Sequence, residues 1–309
     1  MYRHRKRQKN RRIRFILFLL VLFLPAYFLM WPHRSTAIIS PLPEDFTSTK
    51  KPPLNFLTKS KKPDDLRNVI KNLADDKWNN YSIVVSDFNS DFGIAINESS
   101  IFEAASVNKI PILVTLYHEA SGGTIDFNKT ITLQRRDIQD YGTGSMRYES
   151  PGTVYSIKTL ARLMIQKSDN TAAYILANHI LTIKEIQSYI ESLGTTQTDM
   201  TKNTTSNRDI ALLFEKMFTG AIASSDLTAE MIGFLKDTDF EDRLPAQLPE
   251  GVTTYHKIGT GVGAVHDAGV VESGKIKYYI GVFTSDITDE ERASEEVAAI
   301  SKAVYEFML

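Results

Sequence analysis

The chain has 309 residues, 42% of them hydrophobic, and a formal charge of −1 from 36 basic and 37 acidic side chains. It contains no cysteine, which excludes disulfides, thiolate chemistry and a lipid-modified cysteine anchor. Eight of the 36 basic residues stand between positions 3 and 14, leaving 28 against 37 acids, a formal charge of −9, on the rest; that balance argues against nucleic acid as a partner and against tight binding to anionic lipid.

Residues 1–14 form a basic segment without an acid, and Phe15 to Trp31 then runs without a charge. Those seventeen residues, at about 1.5 Å rise each, span roughly 25 Å. That suffices for a hydrocarbon core of about 30 Å when flanking arginines snorkel. We read 15–31 as a transmembrane signal anchor, with the basic segment cytoplasmic and the rest extracytoplasmic, in a single-pass protein of the cell membrane. The alternative is a cleaved signal peptide processed near Ser35-Thr36-Ala37. Residues 32–63, rich in Pro, Ser, Thr and Lys, read as a flexible linker. Residues 64–309 are enough for one large domain.

Within that domain, Leu66, Val69, Ile70 and Leu73 recur at helical spacing and predict a helix over 64–77. Ser82–Phe88 and Gly93–Asn97 read as strands joined by Asn89-Ser90-Asp91. A mostly helical stretch is predicted from Ser106 to about Leu235. Strands follow near Thr253–Ile258, Ala264–Glu272 and Lys277–Thr284, with a turn at Ser273-Gly274, and a last helix over Glu290–Phe307. The fold class is α/β: an antiparallel sheet covered by terminal helices, with an inserted all-helical subdomain and the candidate site in the cleft between them.

Three strings carry chemistry: Ser106-Val107-Asn108-Lys109, Ser168-Asp169-Asn170 and Lys257-Ile258-Gly259-Thr260-Gly261. A serine hydroxyl needs a nearby base, and a lysine three residues on along a helix lies on the same face. Lys109 acts as a base only if its pKa falls, which burial and a second cation, Lys257, both favour. The apolar run Ile110 to Val114 predicts a buried helix, with Pro111 tolerated in its first turn. Ser106 then sits at a helix N-terminus, which favours developing negative charge. Each string alone is weak: Ser48 to Lys51 has the same spacing within the linker, and Ser-Asp-Asn suits any helix N-cap.

The ordered set resembles the signature of penicillin-recognising serine enzymes, in particular the class A β-lactamase-like family. Phe102, Thr171-Ala172-Ala173, Ser192-Leu193-Gly194, Thr204-Thr205 and the terminal helix extend the likeness over roughly 64–309. The resemblance implies a β-lactamase/transpeptidase-like fold and a hydrolase forming an acyl-enzyme on Ser106, with a β-lactam or a D-alanyl peptidoglycan peptide as substrate. It implies that Lys109 takes the serine proton, Ser168 relays it to the departing nitrogen, Asn170 binds the substrate's side-chain amide and Lys257 holds the electrostatics. The oxyanion hole would be the backbone N–H groups of Ser106 and Thr260. Gly259 and Thr260, at the end of the cleft strand, and Tyr141, in the Tyr141–Ser145 loop, are further expected substrate contacts.

Two departures stand out. Ile258 occupies the place of a family Thr or Ser whose hydroxyl helps bind the substrate carboxylate. The Glu-x-x-Leu-Asn segment whose glutamate activates the deacylating water has no counterpart here. Of the acids between Thr171 and Thr205, Glu185 and Glu191 read as a solvated helix face beside inward Ile186 and Ile190, leaving Asp199 as the one substitute. The chain reads as equipped to be acylated and poorly equipped to be deacylated. A D-alanine peptidase is the rival to a lactamase, and an inert binding module or sensor for cell-wall fragments or β-lactams is the alternative from another class. Gly259-x-Gly261-x-Gly263 is followed by a strand pattern, not by the helix of a nucleotide loop. The histidines lack metal-ligand spacing, so no metal and no cofactor is expected.

Overall fold

A computed structural model describes residues 61–309; the expected anchor at 15–31 and nearly all of the linker lie outside the described residues. The first helix, α1 (Pro63–Ala74), starts on Pro63 with Asp64 and Asp65 in its first turn, and buries Leu66, Ile70 and Ala74 at intervals of four. Two strands follow, β1 (Asn80–Asp87) and β2 (Gly93–Ile96), paired antiparallel as the sequence predicts. Near the other end, β7 (Thr253–Gly261), β8 (Ala264–Ser273) and β9 (Ile276–Ser285) complete an antiparallel sheet of order β2-β1-β9-β8-β7. The chain closes with α8 (Glu290–Met308), capped by Asp289, whose side chain accepts from the Arg292 N–H.

The sheet is buried on both faces, and β9 displays the division. Tyr278, Ile280 and Val282 join a core with Leu66 and Ile70 of α1 and Val297, Ile300 and Val304 of α8. Tyr279 and Phe283 point the other way, into the larger core of the helical part. Each such aliphatic side chain removed from water stabilises the fold by about 1.5–3 kcal/mol.

Between the sheet's two halves lie α2 (Lys109–Ser121), α3 (Ile157–Gln166), α4 (Asn170–Ile175), α5 (Ile183–Ser192), α6 (Asn207–Phe218) and α7 (Ser225–Gly233). This is the predicted helical insertion, with two additions. Strands β3 (Ile101–Glu103) and β6 (Thr204–Ser206) pair with each other, as do β4 (Thr130–Thr132) and β5 (Val154–Ser156). At three residues each they are too short to imprint an alternating pattern. The helical part docks on the sheet through Asn207, whose amide donates to the carbonyls of Ser82 and Gly281 and accepts from the Tyr279 hydroxyl.

Candidate active site

Ser106 lies in a turn of 3-10 helix, Ala105–Asn108, that runs straight into α2. Val107 beside it is fully buried, which fixes the turn, and Ala105 has φ +46°, a conformation that costs a non-glycine residue on the order of 1–3 kcal/mol. Lys109 opens α2 and is 2% exposed. Its Nζ lies 3.0 Å from Ser106 Oγ, 2.6 Å from Ser168 O, 3.1 Å from Ser168 Oγ and 2.8 Å from Asn170 Oδ1. Burial pushes its pKa down to about 7, against the upward pull of Asp169. As a neutral amine it has a lone pair to accept the Ser106 proton.

Ser168, with φ +49°, presents its hydroxyl between two lysines. Lys257 Nζ donates to Ser168 Oγ and to Ile258 O, each at 3.0 Å. Burial, the charge of Lys109 and that of Arg243 all hold the Lys257 pKa well below the ordinary lysine range, opposed by Asp267. Asp169 is buried and structural: its carboxylate caps α4 through the Ala172 N–H at 3.0 Å and takes the Met146 N–H at 2.8 Å. Asn170 donates to Tyr141 O at 3.0 Å, which leaves one amide hydrogen for a ligand. The Tyr141–Ser145 loop is thus tied to the Ser-Asp-Asn string, and the Thr143 hydroxyl adds a bond to Ser168 O at 2.8 Å. A Cβ at Gly142 would meet Asn170 Nδ2 at 2.5 Å, so the close approach requires glycine.

Strand β7 forms the opposite wall and is the sheet's edge. The His256 N–H points off that edge to Leu235 O at 2.7 Å, and the two-residue period of a strand puts the Thr260 N–H on the same side, toward the cleft. Gly259 does not line the cleft. A Cβ there would meet Val107 at 2.9 Å, so its bareness lets β7 pack against the nucleophile turn. His256 turns to the other face, as strand alternation predicts, and contacts Asp267 at 2.9 Å through Nδ1. Burial would lower its pKa, but the carboxylates of Asp267 and Glu241 raise it to about 9.

Together Ser106, Lys109, Ser168, Asn170, Tyr141 and Thr260 line one cavity of about 600 Å³, within the usual range for small-molecule sites. Lys257 is 1% exposed and lies behind Ser168, off the cavity wall. Asp199 does not reach the cavity: its carboxylate accepts from the Thr201 and Lys202 N–H groups and pairs with Lys202 Nζ at 2.8 Å. Sequence reasoning missed Arg243, which is 4% exposed and lines the cleft. It donates to Gly259 O at 3.1 Å, His266 O at 2.7 Å and Thr260 Oγ1 at 2.6 Å. No local pattern marks it, because its partners belong to strands far along the chain. Among the described residues, no group of three or more potential metal ligands converges.

A helix-borne serine bonded to a buried lysine, with a second serine and a second lysine behind, defines a serine hydrolase centre. The chain belongs to the beta-lactamase enzyme family, whose model matches residues 65–308. It is 25% identical over 251 residues to a beta-lactamase of Phocaeicola vulgatus, covering 70% of this chain and 76% of that protein. To the extended-spectrum beta-lactamase PER-1 of Pseudomonas aeruginosa it is 23% identical over 242 residues, covering 70% and 78%. Among solved structures, a mutant of PBP-A determined as an acyl-enzyme complex with penicillin G superposes with TM-score 0.73 at 26% identity, covering 79% of this chain and 96% of that one.

Proposed function

We propose that the protein is a membrane-anchored, extracytoplasmic member of this family that forms an acyl-enzyme on Ser106 with a β-lactam or a D-alanyl cell-wall peptide and releases it slowly. Ser106 Oγ bonds to the carbonyl carbon as its proton passes to Lys109 Nζ. The oxygen that becomes negative is held by the Ser106 and Thr260 N–H groups, each such donor being worth about 10²–10³ in rate. The C–N bond then breaks, and the proton travels through Ser168 Oγ to the departing nitrogen, leaving an ester on Ser106. Hydrolysis needs water to cleave that ester.

The observation that carries this reading is the 3.0 Å contact of Lys109 Nζ with Ser106 Oγ, on a lysine whose pKa burial lowers to about 7. The acyl-enzyme of PBP-A lends it support by analogy. Slow release rests on the acids: Glu103 and Asp242 are the carboxylates that line the cleft, and both belong to the β7 side. This favours a penicillin-binding peptidase over an efficient lactamase. The anchor is proposed from Phe15 to Trp31, and protease protection of the chain in sealed membranes tests its orientation. For the chemistry, peptide mapping after penicillin treatment should find the adduct on Ser106; an adduct elsewhere would refute the assignment. An inert binding module, favoured by Ile258 and by the absent water-activating glutamate, would yield no adduct.

A further inference from the structure

The turn that carries Ser106 is held from two sides. On one, the buried Val107 packs against β7 at Gly259. On the other lies the loop between α5 and β6, where the chain reverses at the Asp199–Thr204 bridge and Asn203 takes φ +55°. The Asp199 carboxylate shapes that reversal by accepting from the Thr201 and Lys202 N–H groups. The β3–β6 pairing runs on past Glu103 and Thr204, so that the Ala104 N–H donates to Asn203 O at 2.8 Å. The Asn203 side chain then reaches the far end of the turn, where its Oδ1 accepts from Asn108 Nδ2 at 2.6 Å. Asn203 thus bonds the chain two residues before Ser106 and two residues after it. Both asparagines line the cleft with Ser106.

The turn needs such a hold. Ala105, next to the nucleophile, has φ +46°, a conformation that a non-glycine residue keeps only where its surroundings enforce it. Asparagine is suited to the enforcing position, because it tolerates left-handed backbone and still offers a side-chain acceptor. We infer that Asn203 is a positioning residue for acylation, acting through Ala104 and Asn108 to hold Ser106 Oγ where Lys109 can take its proton and the substrate carbonyl can be attacked. The inference rests on the acyl-enzyme reading, and it gives a task to the loop that carries no water-activating glutamate.

Three variants separate the bond from the backbone. Asn203→Gly keeps the left-handed conformation and the carbonyl that holds Ala104 but removes the acceptor. Asn108→Ala removes the donor, and Asn203→Asp keeps an acceptor in the same place. Stopped-flow acylation of the full chain over a range of benzylpenicillin concentrations resolves the affinity of the initial complex from the rate of the chemical step. That step should slow about tenfold to a hundredfold in Asn203→Gly and in Asn108→Ala, with the affinity unchanged. The double variant should be no slower than either single one, since both remove the same bond, and Asn203→Asp should keep most of the rate. A wild-type chemical step in Asn203→Gly, or losses that multiply in the double variant, would overturn the clamp and leave the acyl-enzyme reading intact. A fall in affinity as large as the fall in rate would mark a general loosening of the cleft and overturn it too. Absence of any adduct on the wild type would overturn both readings.

Discussion

Lys109 Nζ sits 3.0 Å from Ser106 Oγ, one helical turn along the chain, with its ammonium form disfavoured by burial. The base is competent only when neutral, so acylation should rise with pH through about 7 and level off above it. Stopped-flow acylation between pH 5 and 9 measures this. Lys109→Ala should slow acylation by about 10²–10⁴ and abolish the pH limb, while a melting curve shows a folded protein. A pH limb that survives the substitution assigns the base elsewhere.

Ile258 presents no hydroxyl to a substrate carboxylate, which leaves Arg243 and Thr260, joined at 2.6 Å, to meet it. Arg243→Lys should weaken binding of carboxylate-bearing β-lactams at least about tenfold, since an ammonium lacks the planar fork that spans Gly259 O, His266 O and Thr260 Oγ1. Ile258→Thr should instead speed their acylation. Kinetics on paired β-lactams with and without the carboxylate separate the two effects.

The buried His256–Asp267 pair makes stability depend on pH. The His256 pKa is about 9 in the fold and about 6.5 unfolded. The native state therefore binds the proton more tightly, and the stabilisation is complete below pH 6.5 and lost as pH rises through 9. The difference between wild type and His256→Gln, which cannot take the charge, should shrink by on the order of 3 kcal/mol across that window. Denaturant titrations at pH 6 and 9.5 measure it; a constant difference would mean a neutral histidine.

Gly144 has φ +114°, and a Cβ there would collide with the Asp169 side chain. Gly144→Ala should destabilise the protein by at least about 1 kcal/mol and slow acylation, because Asp169 sets the position of Ser168 and Asn170. A calorimetric scan together with the acylation rate gives both numbers.

The parts of this fold that were legible in the sequence are those with local period: the helix of Leu66 and Ile70, the five long strands, and Ser106 with Lys109 one turn apart. The Ser-Asp-Asn string was legible only as a member of an ordered set. What stayed hidden depends on contacts between distant segments. Arg243 is held at the cleft by Gly259, His266 and Thr260, and the three-residue strands exist because β3 meets β6 and β4 meets β5. Asp199 matched the chemistry sought by type alone, and its own loop's N–H groups decide where the carboxylate points.

Intact-mass spectrometry of the full chain with benzylpenicillin, followed from seconds to hours beside Ser106→Ala, tests the central claim most directly. The account predicts an adduct of the drug's mass on the wild type within the early time points, persisting for hours, and none on Ser106→Ala. An adduct that vanishes within minutes as hydrolysed drug accumulates would contradict slow release, and no adduct at any time would contradict the acyl-enzyme itself.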